Sequence, residues 1–344
     1  MKKKAISSWK IIFLLFLVIG SVWTIHHHQA GSIFHKTEGQ VFGTTYHITY
    51  QSKKELTDSI LSELSRVNNS LSPFNKTSII TAINENVPVD TDTLFREVFR
   101  LSQHIAQETD GAFDITVAPL VNAWGFGFKH KQTITPERID SMLETIGYQK
   151  VTLENNRIKK QNPNTMIDCS AIAKGYGCDQ VARMFMRQGV QNFMIEIGGE
   201  LVVNGTNPQK KPWKIGINKP VEDSLNTNKN LQAIIELKNI AMATSGNYRN
   251  FYYKEGQKYA HTINPHTGYP VEHTLLSATV LAPTCAEADA YATAFMVMGL
   301  EQAKKILLKQ PHLQAYFIYT DKDGKMCVWN SPQLTDKLVS TSNS

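Results

Sequence analysis

Asp289 and Thr293 stand four residues apart in EADAYATAFMVMG, a stretch that after Glu287 is otherwise made of Ala, Tyr, Phe, Met and Val and closed by Gly299. At that spacing a carboxylate and a hydroxyl share one face of a helix, one turn apart. One reading is purely structural: an acid favoured by the helix dipole, and a Thr hydroxyl bonded back to its own backbone. The other is a pair of hard oxygen ligands. They suit Mg²⁺, which takes few protein ligands and keeps waters or substrate phosphates. The second reading therefore implies a phosphate-bearing ligand.

Reactive and small residues concentrate in four loops, 111–127, 168–178, 244–250 and 261–270. Asp168 ends an apolar segment, where a carboxylate either caps the next helix or holds a ligand. Lys174 in DCSAIAKGYG either meets a phosphate or points into water. His261 opens HTINPHTG, a loop stiffened by Pro265 and Pro270, and imidazole is the side chain whose pKa suits proton transfer near neutrality. His266 and His273 compete with it on these grounds. Other chemistries lack their motifs. DCSAIAKGYG has no GK[ST] ending, and its Gly-x-Gly lacks the third glycine of a dinucleotide fingerprint. No Gly-x-Ser-x-Gly elbow surrounds Ser245, and no HExxH or clustered Cys and His suggests a zinc hydrolase.

The elements that must position these groups are legible from periodicity. GQVFGTTYHITYQ alternates as a strand after a tether at 31–37. Leu56, Ile60, Leu64 and Val67 form one helical stripe, and a second helix spans 91–109, ended by the Asp110-Gly111 turn. AFDITVAPLVNAWGFG reads as an irregular lining. A short helix at 136–146 precedes a hairpin through Glu154-Asn155-Asn156. MIDCSAIAKGYGCDQVARMFMRQG reads as strand, turn and helix, NFMIEIGGELVVNG as strand, glycine pair and strand. WKIGIN, LQAIIELKN and SATVLAP are further strands, and AYFIYTDKDGKMCVWN is a hairpin turning at Asp323-Gly324. The residues after 332 read as a frayed polar tail. No internal repeat or low-complexity linker divides the chain, so one intertwined α+β body over 38–332 is expected.

Composition is that of an ordinary folded protein, 42% hydrophobic and 19% charged over 344 residues. The net charge of +6 includes Lys2, Lys3, Lys4 and Lys10. Without them it is about +2, and no basic field suited to nucleic acid remains. Those lysines precede an uncharged apolar run at 11–25, shorter than the roughly 20 residues of a full span. Residues 1–30 are read as an export signal, retained as an anchor or cut near Gln29-Ala30-Gly31. The cationic end stays in the cytoplasm, which sends the body to the exported, periplasmic side of a bacterial inner membrane. The His26–His28 tract is given no function. Cys169, Cys178, Cys285 and Cys327 show no metal-like spacing and are read as buried free thiols.

Taken together and in order, DITVAPLVNAWGFG, DCSAIAKGYGCD, IEIGGEL, ATSGNYRNF, HTINPHTGYP and EADAYATAFMVMG resemble the ApbE-type flavin transferases, from about residue 40 to about 330. The resemblance implies an α+β, T-fold-like body. It implies cleavage of the FAD pyrophosphate with Mg²⁺, transfer of FMN to a Thr or Ser hydroxyl of an acceptor protein, and release of AMP. Carried over by position, it makes Asp289, Thr293 and the carbonyl of Ala171 the Mg²⁺ ligands and His261 the base for the acceptor hydroxyl. Ala112, Phe113, Asp114, Asp168, Lys174 and Ile263 become flavin-nucleotide contacts, with Thr244, Ser245 and Gly246 lining the same cleft. Two departures stand out. Phe42 replaces the family's Met before Gly43-Thr44, and Phe74 in LSPFN must supply the stacking surface there. The lipobox cysteine of many relatives is absent.

Three functions share these residues. The first is covalent flavinylation of an exported or membrane acceptor, by analogy a subunit of a sodium-pumping quinone reductase or an Rnf-type complex, or a small FMN-binding domain protein. The second is a Mg²⁺-dependent FAD pyrophosphatase giving FMN and AMP. The third is a non-catalytic FAD-binding protein.

Overall fold

The computed structural model describes residue 9, residue 13 and residues 15–21, 33–129, 133–220, 231–247, 251–254 and 257–339, with the backbone alone for 251–254 and 257–258. The His26–His28 tract and residues 11, 12, 14 and 22–25 of the apolar run fall outside them. No helix among the described residues is long and apolar enough to cross a membrane.

An antiparallel sheet of eight strands forms the centre, in the order β1-β2-β5-β6-β9-β12-β13-β14. Its strands are β1 (Ile33–Val41), β2 (Thr44–Ser52), β5 (Phe193–Ile197), β6 (Glu200–Asn204), β9 (Ile240–Gly246), β12 (Leu275–Ala282), β13 (Gln314–Thr320) and β14 (Met326–Asn330). Strands from both ends of the chain flank those from its middle, so the body is a single intertwined unit of the expected α+β class. The remaining strands are β3 (Val151–Glu154) and β4 (Arg157–Lys160), β7 (Trp213–Asn218) and β8 (Leu231–Leu237), β10 (Phe251–Lys254) and β11 (Gln257–Ala260), and β15 (Leu338–Val339).

Alternation along the central strands sends apolar residues to both faces, and both are covered. On one face Leu201, Val203, Met242, Leu281 and Ile318 meet Trp213, Ile215, Ala233 and Ile235 of the small sheet β15-β8-β7. The other face carries the helices. These are α1 (Thr57–Leu71), α2 (Ile79–Asn84), α3 (Thr93–Glu108), α4 (Ala118–Trp124), α5 (Pro136–Leu143), α6 (Ala173–Arg187), α7 (Cys285–Met298) and α8 (Leu300–Lys309). The expected stripe of α1 is buried, Leu56, Ile60, Leu64 and Val67 included. Helix α7 is apolar all round and buried among α6, α3 and the sheet, as such a sequence requires. Its first turn is closed twice. Thr284 Oγ1 accepts from Glu287 N, and the Asp179 carboxylate of α6 accepts from Cys285 N at 2.8 Å and Ala286 N at 2.9 Å.

Several boundaries differ from expectation. From Ile33 onward the expected tether is the start of β1, and the single alternating strand at 39–51 is a hairpin. It breaks at Phe42-Gly43, where both residues have positive φ, 51° and 73°, as a tight primed turn needs. Alternation alone does not reveal a turn that puts an aromatic in its first position. AFDITVAPLVNAWGFG contains α4, begun by Pro119 in its first turn and ended by Gly125 in the left-handed region. Met166 makes one isolated bridge to Val117, not a strand. Residues 173–178 and 244–246, grouped with loops, belong to α6 and β9. The tail is not frayed through 339: Leu334 is fully buried and β15 pairs with β8. Cys169, Cys178 and Cys285 are buried free thiols, but Cys327 is only half-buried.

Helices α6 and α7 touch backbone to backbone at Gly175. A Cβ there would lie 2.6 Å from Cys285 C and 2.9 Å from Ala286 N, and closer still to the Cys285 carbonyl oxygen. Backbone atoms cannot swing aside. Gly175→Ala is therefore expected to lower stability by about 1–3 kcal/mol, the usual cost of overpacking, read as a drop in the urea midpoint. An unchanged midpoint would show that the two helices are free to part.

Candidate active site

One cleft of about 1090 Å³ opens between the helical layer and the ends of β6, β9 and the 261–270 loop. The residues assigned to the site by the family resemblance all line it: Phe42, Phe74, Ala112, Phe113, Asp114, Asp168, Ala171, Lys174, His261, Ile263, Asp289 and Thr293, with Thr244, Ser245 and Gly246. Residues up to 251 positions apart in the chain are thus brought to a single cleft.

The floor is a charged cluster. Asp289, buried on α7, accepts the Gly175 N–H through Oδ2 at 3.1 Å, and Lys174 Nζ lies 3.7 Å from the same oxygen. Lys174 Nζ is closer, 3.1 Å, to Oε1 of Glu200 at the start of β6. Burial disfavours the ammonium, but the adjacent Asp289 and Glu200 carboxylates outweigh it and hold Lys174 well above its ordinary value. Burial pushes the Glu200 carboxyl up, and the adjacent Lys174 ammonium pulls it back toward the ionised form. Its Oε2 is buried and has no hydrogen-bond partner among the described residues. Two buried carboxylates thus face one ammonium, and this excess of negative charge is what a bound cation would offset. Among the described residues no three His, Cys, Asp or Glu side chains gather as a complete metal cage. A site of one carboxylate, one hydroxyl and one carbonyl suits an ion that draws its remaining ligands from water and phosphate.

The acids of the neighbouring turns are largely committed to shaping them. Asp114 Oδ1 accepts from Thr116 N and Oγ1 at 2.7 and 2.6 Å, and Oδ2 from Tyr148 N at 2.7 Å; burial raises its pKa. Asp168 Oδ1 accepts from Ser170 N and Oγ at 2.8 and 2.5 Å, and its own N–H donates to Ile115 O. Burial raises it too. Phe42 sits over Gly177 of α6, where a Cβ would come within 2.7 Å of its ring. Phe74 is exposed at the rim, edge-on to Phe128 at 6.1 Å between ring centres.

The three histidines separate cleanly. His266 donates from Nε2 to the Asp110 carbonyl at 2.7 Å, and His273 to the Met296 carbonyl at 2.7 Å; neither lines the cleft. His261 does, with Phe126 edge-on at 6.3 Å. Its loop is pinned by the Ile263–Pro270 bridge, by Thr262 Oγ1 to Asn247 Oδ1 at 2.6 Å, and by Trp124 Nε1 to Gly268 O at 2.8 Å. The site residue missed from sequence is Glu200. Its signal was a charged residue opening an apolar strand just after the turn Gly198-Gly199, whose φ values of 64° and 108° require glycine.

Comparison with known proteins agrees with this geometry. A model of the ApbE family matches residues 42–317. The FAD:protein FMN transferase of Haemophilus influenzae is 37% identical over 88% of this chain and 91% of its own length. That of Vibrio cholerae is 38% identical over 78% and 82%. The solved flavin transferase ApbE from Vibrio cholerae superposes with a TM-score of 0.80 at 33% identity, covering 89% of this chain and 99% of that one. Pseudomonas stutzeri flavinyl transferase ApbE gives 0.78 at 28% identity, with 89% and 97% covered. With its family model matched over residues 42–317, its site residues in one cleft and its relatives aligned over nearly the whole fold, the chain belongs to the ApbE family.

Proposed function

We propose that this enzyme transfers FMN from FAD to a Thr or Ser hydroxyl of an acceptor protein, with Mg²⁺, and releases AMP. The observation that carries the reading is the convergence in one cleft of an imidazole, a half-buried ammonium and two buried carboxylates beside the aromatic rings of Phe42 and Phe74. Asp289, Thr293 and the Ala171 carbonyl would hold the ion, which when bound neutralises charge on the pyrophosphate. Lys174 brings a second positive charge to the same end of the cleft. Phe42 and Phe74 offer ring faces to the flavin, and Ala112, Phe113, Asp114, Asp168 and Ile263 contact the nucleotide.

His261 takes the proton of the acceptor hydroxyl while its oxygen attacks the FMN phosphorus. The bond from that phosphorus to the bridging oxygen breaks, and AMP departs with the bridging oxygen. The acceptor is left with a phosphodiester-linked FMN. The N-terminal apolar run holds or delivers the body to the exported side of the inner membrane. An electron-transfer subunit of a sodium-pumping quinone reductase or Rnf-type complex would be met there.

The test mixes the full-length protein with FAD, Mg²⁺ and a candidate FMN-domain acceptor, and follows acceptor mass and AMP. The expected result is a gain of one FMN per acceptor, matched by AMP, and its loss when the acceptor Thr is changed to Ala. AMP and free FMN without adduct on two different acceptors would establish a pyrophosphatase. Neither product, with FAD still bound, would make the protein a flavin carrier.

A further inference from the structure

Lys174 has two carboxylates within reach and a choice between them. Its Nζ makes a hydrogen-bonded ion pair with Glu200 at 3.1 Å but stays 3.7 Å from Asp289. Asp289 Oδ2 is already engaged by the Gly175 N–H, and among the described residues no hydrogen bond reaches Oδ1. The Lys174 stem passes close over the glycine turn before Glu200: a Cβ on Gly198 would lie 3.4 Å from Lys174 Cδ. Glu200 is as buried as Asp289, with side chains 5% and 6% exposed, so neither carboxylate is weakened by solvent. Remove the nearer partner, and the ammonium would be drawn to the farther one.

We propose that Glu200 is a positioning residue: by holding Lys174 Nζ it keeps the ammonium off Asp289 and leaves that carboxylate to a divalent cation. The inference rests on the assignment of Asp289 as a cation ligand. It makes Glu200 act on the cation through Lys174, as partners behind a ligand orient it. A competing role is simple: Glu200 attracts the cation with its own negative charge. The two differ in what a shorter carboxylate does. Glu200→Asp keeps the charge but falls short of Lys174 by one methylene, so only the positioning role is lost.

The experiment measures Mn²⁺ binding to the purified protein without FAD, by the loss of the free-ion EPR signal. Its companions are the Asp289→Asn, Glu200→Gln, Glu200→Asp and Lys174→Met variants. Positioning predicts weaker binding by Glu200→Gln of about 10- to 100-fold, the usual effect of removing such a partner. Glu200→Asp is weakened as well, and Glu200→Gln has no further effect once Lys174→Met has removed the ammonium. Should Glu200→Gln not fold, Glu200→Asp carries the same test. Glu200→Asp binding like the parent, or a full Glu200→Gln effect without Lys174, overturns the inference and leaves Asp289 as ligand untouched. Parent and Asp289→Asn proteins binding Mn²⁺ equally would overturn the cation assignment and this inference with it.

Discussion

At limiting Mg²⁺, Asp289→Ala is expected to transfer FMN at least about a hundred- to a thousandfold more slowly than the parent, the scale on which loss of a single charge stabiliser is felt. FAD binding should weaken without being lost, since the aromatic and loop contacts of the cleft do not depend on this carboxylate. The substitution also removes the acceptor of the Gly175 N–H and one of the two counter-charges of Lys174. A buried N–H left unpaired costs about 1–3 kcal/mol, so a lower melting temperature accompanies the lost activity. Asp289→Asn separates the two effects: its amide oxygen can still accept from Gly175 while the charge is gone. The expected outcome is near-parent stability with activity partly restored by raising Mg²⁺. Parent-like transfer by either variant at limiting Mg²⁺ would remove Asp289 from the metal site.

Which parts of this site were legible beforehand follows from how local their causes are. Asp289 and Thr293 could be paired from sequence because four residues make one helical turn, and the apolar run around them left few reasons for a carboxylate. The helices themselves were marked by local chemistry, such as Asp92 capping α3 through Phe95 N and the left-handed Asp110-Gly111 exit. Glu200 was not legible, because its partner Lys174 is 26 residues away and the contact exists only once β6 lies beside α6. Nor was Asp179, whose two bonds close a helix more than 100 residues later. The start of β1 was missed for a related reason. An edge strand half-exposed on both sides has weak alternation, and its identity comes from pairing with β2. Local spacing does not rank the three histidines; the order of motifs in the family resemblance points to His261, which lines the cleft where His266 and His273 do not.

That choice yields the other large effect. His261→Ala is expected to slow transfer by about a hundred- to ten-thousandfold, the range for removal of a general base, with FAD binding and Mg²⁺ dependence retained. The small side chain leaves a space beside Phe126, so added imidazole should recover part of the rate in His261→Ala and none in Asp289→Ala. His266→Ala is the matched control. It removes an imidazole five residues away whose Nε2 is occupied by the Asp110 carbonyl, and transfer should stay near the parent rate. The loop itself is held mainly by Thr262 with Asn247 and by Trp124 with Gly268, and it should survive either change. If His261→Ala runs the chemical step at the parent rate in a single turnover, the acceptor proton leaves by another route. If His266→Ala is the slow one instead, the base has been placed on the wrong side of Pro265.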